Sequence, residues 1–166
     1  MTCRIRNDGL TLVECLIAST ILAASVIAIC QAVVAGQMAN RHALHNQRAV
    51  ALAEALAEEV ISLPYTEPDG VQTPGPDDGE SAGNRGTFDN ADDYHGFNEE
   101  VDELADVYGN LYPETYQTFS RRVEVSYTTL TVAGMPAAMN GLVVTVYVTD
   151  DNGREWTVTR FMEEPD

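Results

Sequence analysis

From Cys15 to Asn40 the chain carries no charged side chain, and this run constrains the fold more than any other feature of its 166 residues. As a helix, Leu10 to Gly36 rises about 40 Å, more than the roughly 30 Å hydrocarbon core of a bilayer, so it is long enough to span with tilt. The charges outside the run are unevenly divided. The first fifty residues hold Arg4, Arg6, Arg41 and Arg48 against Asp8 and Glu14, a balance of +2, whereas the other 116 hold five Arg against 24 acids, a balance of −19. Two Arg ahead of the span and an acidic remainder place residues 1–9 in the cytoplasm and send the rest across, by the positive-inside rule. A cleaved secretory signal is the rival reading, with Ala35-Gly36 as its best cleavage candidate, although the run exceeds the roughly 7–15 residues of a usual signal core. The overall charge of −17, with no Lys, disfavours direct contact with nucleic acid, whose phosphates a partner must neutralise.

Glu14 is the anomaly at the edge of this run. A carboxylate within an apolar span costs roughly 2.5–3.5 kcal/mol on insertion scales at the helix centre and less near the helix start, where free N–H groups and the helix dipole favour an anion. A second partner is expected for it. Cys15 and Cys30 are about 22 Å apart on a helix, too far for a disulfide, Cys3 precedes the span, and no Cys follows Cys30. The exported part must therefore hold itself by packing.

Gly9-Leu10-Thr11-Leu12-Val13-Glu14, preceded by Arg4 and Arg6 and followed by Cys15-Leu16-Ile17-Ala18-Ser19-Thr20-Ile21-Leu22, resembles the processing signal of type IV prepilins and type II secretion pseudopilins. The resemblance implies that a prepilin peptidase cuts between Gly9 and Leu10 and methylates the new amino terminus. Leu10 stands where Phe is more usual in that family. The resemblance also implies that Glu14 pairs with the amino-terminal charge of a neighbouring subunit during assembly, and that the partners are other pilins or pseudopilins, met through this helix, and an inner-membrane assembly platform.

Past the span, Ala49, Leu52, Leu56, Val60 and Leu63 recur at spacings of three and four, so the helix is expected to continue to about Leu63. Pro64 then disfavours further helix and biases Leu63 out of helical geometry. Residues 64–118 read as an acidic, variable loop region, rich in Pro and Gly up to Gly86. Between Asp89 and Asp106 eight carboxylates occur without an Arg. The primary reading is an ordinary acidic face; the secondary one is a calcium ion, for which Asp89, Asp92 and Asp93 are the candidate ligands, although the spacing is not that of an EF-hand. The stretch 119–166 reads as antiparallel sheet. Val123, Val125, Tyr127, Thr129 and Thr131 share one parity, Leu142 to Thr149 and Glu155 to Phe161 are rich in strand-forming residues, and Asp150-Asp151-Asn152-Gly153 signals a hairpin.

Two further stretches, Ala51 to Tyr65 and Phe88 to Phe97, are similar to the minor pilins of mannose-sensitive haemagglutinin pilus biogenesis and to minor pseudopilins. Enzymatic readings find little support. Without Lys there is no P-loop, and Cys15 and Cys30 lie at membrane depth. His42 and His45, three apart, have no Cys or carboxylate one turn away on the helix to complete a metal site. His95 beside Asp92 and Asp93, and Ser120 beside Arg121 and Arg122, carry no specific catalytic spacing.

The expected fold is therefore α+β and pilin-like, with a long N-terminal helix, membrane-spanning in its first half, packed on a small C-terminal antiparallel β-sheet. Its expected divisions are a leader at 1–9, a transmembrane or filament-core helix at 10–36, an extracytoplasmic continuation at 37–63, the acidic loops at 64–118 and the sheet at 119–166. The expected function is that of a non-enzymatic minor pilin or pseudopilin, single-pass in the inner membrane with its C-terminal domain periplasmic, acting without a cofactor. The alternative is a membrane-anchored ligand- or calcium-binding module that joins no filament.

Overall fold

The computed structural model describes residues 11–66, 73–77, 79–81, 83–131 and 138–165. A helix α1, Leu12–Ile61, is followed by a four-stranded antiparallel sheet of order β1-β2-β3-β4, formed by β1 (Asn98–Glu99), β2 (Phe119–Leu130), β3 (Met139–Asp150) and β4 (Glu155–Glu163). This is the α+β, pilin-like arrangement expected from the sequence. The chain divides into two compact units, 1–44 and 45–166, and α1 contributes to both.

In the first unit, the side chains of α1 from Leu12 to Leu44 are exposed, among them Leu16, Ile21, Ile27 and Val33, each more than half accessible. The helix is long and apolar enough here to cross a membrane. Its hydroxyls are satisfied internally: Ser19, Thr20 and Ser25 donate to the carbonyls of Leu16, Ile17 and Ile21 at 2.8–2.9 Å. That is what a helix surrounded by hydrocarbon requires, since lipid offers no hydrogen-bond partner.

In the second unit the same helix presents Ala49, Leu52, Ala53, Leu56, Ala57 and Val60 to the core. Three of the six are Ala, and Leu52, Leu56 and Val60 fill most of the space between helix and sheet. Opposite lie Val123 and Val125 of β2 and Leu142, Val144, Val146 and Val148 of β3. In β4, Trp156, Val158 and Met162 pair in register with Val148, Val146 and Leu142 and cover the far side of this core. The helix ends at Ile61, two residues before the expected Leu63; the Ser62 hydroxyl donates to the Glu59 carbonyl at 2.7 Å, and Pro64 follows.

The β3–β4 connection is the hairpin signalled by Asp150-Asp151-Asn152-Gly153. Asp150 Oδ1 accepts the N–H groups of Asn152 and Arg154 at 3.0 and 2.8 Å, and Gly153 takes φ +75°, a conformation costly for a residue with a Cβ.

The 64–118 stretch departs from the expected loop. Among the described residues it contains β1, three 3-10 turns (Arg85–Thr87, Asp92–Tyr94 and Glu114–Tyr116) and six fully or nearly buried core residues: Tyr65, Phe88, Ala91, Tyr94, Phe97 and Leu104. Phe88, Tyr94 and Phe97 pack edge to face, with ring centroids 4.9–6.3 Å apart. An acidic sequence can form a folded segment here because its aromatic residues face the core and the few charges buried with them are hydrogen-bonded or ion-paired.

Candidate functional site

Of the sites expected from the sequence, Gly9 and Leu10 lie outside the described residues. Glu14 is described, and its immediate partner is local. Thr11 N–H donates to Glu14 Oε2 at 2.8 Å, the Thr11 hydroxyl donates to the same oxygen at 2.9 Å, and Glu14 N–H donates back to Thr11 Oγ1 at 3.3 Å. This is a capping box, in which residues three apart satisfy each other's orphan N–H groups. The Thr-x-x-Glu spacing immediately before an apolar run is its sequence signal. One carboxylate oxygen, Oε2, takes both Thr11 bonds. Around it α1 exposes Leu12, Val13 and Leu16, and Cys15 and Cys30 are exposed free thiols.

The acidic stretch proves more discriminating than an acidic face. Asp92, Asp93 and Glu99 are buried, whereas Asp89, Glu100, Asp102 and Glu103 are exposed. The three proposed calcium ligands do not converge: Asp92 Oδ2 turns away to accept the Tyr127 hydroxyl at 2.5 Å. Burial raises the Asp92 carboxyl above its usual range, with the Tyr127 hydrogen bond opposing. Asp89 and Asp93 instead meet Glu80, a residue sequence reasoning missed because it lies nine positions before Asp89. One carboxylate oxygen from each of Glu80, Asp89 and Asp93 lies within 4.8 Å of the others.

Local hydrogen bonds fix this cluster. Asn90 Oδ1 accepts the N–H groups of Asp92 and Asp93 at 2.9 and 3.2 Å, and Asp93 Oδ2 accepts those of Asp89 and Asn90 at 3.1 and 2.9 Å. Glu80 is held by the N–H groups of Asp77 and Asp89 at 3.1 and 3.2 Å. Burial raises the Glu80 carboxyl; the Asp77 N–H bond opposes the shift and contact with the Asp93 carboxylate adds to it. Among the described residues no N–H group donates to the buried Asp93 Oδ1.

A second polar constellation ties the segment to helix and sheet. Arg85 Nε lies 3.0 Å from Glu59 Oε1 and its Nη1 3.3 Å from Glu99 Oε1, while Arg121 Nε donates to Glu99 Oε2 at 2.7 Å. Both guanidinium groups also donate to the Ala105 carbonyl, and the Tyr94 hydroxyl donates to Glu59 at 2.7 Å. Burial, then the hydrogen bond to Glu59, pushes the Tyr94 hydroxyl well above its ordinary range. Two Glu and two Arg balance within this chain of contacts, which satisfies charges that burial would otherwise make costly. The sequence hint was Arg121, which sits at an apolar parity of β2.

Of the histidines, His45 finds a carboxylate 105 residues away. Its Nε2 lies 3.0 Å from Asp150 Oδ2, and its ring stacks on Phe119 at 4.6 Å. His95 is exposed, and its Nδ1 accepts the Val125 N–H at 3.2 Å. Burial pushes the Asp150 carboxyl up, but bonds from Arg154 N–H, His45 and Asn152 N–H outweigh it and hold the group below its usual range. A depressed carboxyl pKa contributes stability that is present above about pH 4, the ordinary unfolded value, and lost as pH falls through the folded one. The midpoint difference between the native chain and Asp150→Asn, followed by thermal unfolding, is expected to shrink across that window. Parallel curves down to strongly acid pH would contradict this.

No family model, curated protein or solved structure matches this chain.

Proposed function

We propose that the chain is a minor pilin or pseudopilin, a structural rather than catalytic subunit that a prepilin peptidase processes between Gly9 and Leu10 and that joins a type IV pilus-like or type II secretion filament through its amino-terminal helix. The observation that carries this reading is the division of labour along α1. In the first unit it exposes a surface that carries no charge from Cys15 to Asn40, while residues 49–60 supply the helical face of the core of an acidic α+β domain. Contiguous apolar area of that extent requires cover, and a bilayer before assembly followed by neighbouring helices after it supplies cover at both stages.

The Thr11–Glu14 capping box adds a physical role for the carboxylate. It completes the helix start within the subunit and leaves unused lone pairs for a cation, which suits the amino terminus that the family resemblance assigns to a neighbour. In this reading the C-terminal domain lies in the periplasm, and its acidic surface disfavours direct binding of nucleic acid.

The test begins with intact mass and amino-terminal sequencing of the chain from native membranes, with and without the peptidase. A start at Leu10 is expected, and Gly9→Val is expected to leave a start at Met1. Bismaleimide crosslinking through Cys15, in a chain whose Cys3 and Cys30 are replaced by Ser, is then expected to capture itself or a homologous subunit, and Glu14→Ala to suppress that adduct. A native start at Met1 or after Gly36 sinks the processing claim. Correct processing without any crosslinked partner would favour a membrane-anchored module that joins no filament.

A further inference from the structure

We propose that Glu80, Asp89 and Asp93 form a binding site for one hard divalent cation of the calcium type, joining the loop around Glu80 to the 3-10 turn Asp92–Tyr94. The distances fit. Calcium takes carboxylate oxygens at about 2.3–2.6 Å, so two oxygens on one ion lie at most about 4.6–5.2 Å apart. The three carboxylates of this cluster already offer oxygens within 4.8 Å of one another.

A second observation separates this cluster from an ordinary group of surface acids. Asp93 is 1% exposed, its carboxylate meets the Glu80 carboxyl within the cluster, and among the described residues no N–H group reaches its buried Oδ1, while Oδ2 takes two backbone N–H groups. A carboxylate oxygen removed from water needs a donor or a cation. Arg85, the described arginine nearest in sequence, is committed to Glu59, Glu99 and the Ala105 carbonyl, and the nearby His95 places its Nδ1 on the Val125 N–H. The cluster therefore has a carboxylate excess, an oxygen-only donor set and a buried carboxylate oxygen that no described N–H group reaches.

The donor chemistry selects the ion. Three carboxylates with no His or Cys among them disfavour zinc and copper, and ligands carried on a loop and a 3-10 turn suit the variable geometry of calcium better than the strict octahedron of magnesium. Asp92, although adjacent to Asp93 in sequence, accepts the Tyr127 hydroxyl and is left outside the site. The bound ion would join Glu80 to Asp89 and Asp93, adding to the hydrogen bonds that the N–H groups of Asp77 and Asp89 already donate to Glu80.

The experiment uses the full chain in detergent micelles at neutral pH, stripped with a chelator and titrated calorimetrically with calcium chloride. Thermal unfolding is recorded in calcium, in magnesium and in chelator. One calcium per chain is expected, with a rise in midpoint that magnesium at equal concentration does not reproduce. Asp89→Asn, at an exposed position that should leave folding intact, is expected to weaken binding about tenfold or more, as is Glu80→Gln, whereas Glu163→Gln on exposed β4 should bind as the native chain does. Absence of saturable binding overturns the proposal. So does equal stabilisation by magnesium, which would indicate screening of the acidic surface, or an affinity that Asp89→Asn and Glu80→Gln leave unchanged.

Discussion

Arg121→Met is expected to destabilise the C-terminal unit by about 3–5 kcal/mol, the usual cost of stranding one member of a buried ion pair. Met approximates the length of the Arg stem but supplies none of its donors. Glu99 would keep Arg85, at 3.3 Å, as its one described cationic partner beside the Ala105 N–H, and the Ala105 carbonyl would lose one of its two guanidinium donors. The stacking of Arg121 over Tyr112, 5.3 Å from the ring centroid, would go as well. The measurement is the denaturant midpoint of the full chain in detergent, followed by circular dichroism. A double-mutant cycle with Glu99→Gln, which keeps an acceptor for Ala105 N–H, should return a coupling of about 0.5–3 kcal/mol. A loss below about 1 kcal/mol for Arg121→Met would place these charges in the class of exposed pairs and refute the buried network.

Leu56→Ala is expected to cost about 2–5 kcal/mol, a large share of the roughly 5–15 kcal/mol that stabilises a typical domain. Leu56 is fully buried among Ala53, Ala57 and Val60 on α1, facing the valines of β2 and β3. Small neighbours limit how far the helix face can relax to fill the cavity, which puts the cost toward the upper part of that range. Leu22→Ala on the same helix is the informative contrast. Leu22 is 66% exposed and belongs to the first unit, so its truncation should leave the unfolding midpoint of the second unit unchanged. Equal losses from both substitutions would mean that the helix does not divide its work between a partner-facing and a core-forming half.

Local periodicity made much of this architecture legible. The three- and four-residue spacing of Ala49, Leu52, Leu56 and Val60 marks the buried face of α1, and the alternation around Val123 and Val125 marks the inner face of β2, because both follow directly from backbone geometry. The Asp150–Gly153 turn was readable for the same reason: its hydrogen bonds and its positive φ are contained within five residues. The alternation misled at Thr129, exposed on the parity of the buried valines, because the core had ended before the strand did.

The acidic stretch shows the opposite case. Composition could count the carboxylates between Asp89 and Asp106 but could not sort them. Burial of Asp92, Asp93 and Glu99 depends on Tyr127, on Glu80 and on Arg85 with Arg121, partners between 13 and 35 residues distant or brought close by folding of the segment. His45 likewise lacked a carboxylate within a turn of its helix and acquired Asp150 from the end of β3.

What the sequence by itself determined is therefore the order of elements, the apolar helix long enough for a membrane and the faces that helix and strands turn inward. Each rests on interactions within a few residues, or on a periodicity that one element carries alone. Only the tertiary structure decided which charges are buried and with whom. An ion pair or a converging set of carboxylates is set by distances in space, and a linear spacing of nine, 22 or 105 residues carries no information about those distances until the chain has folded.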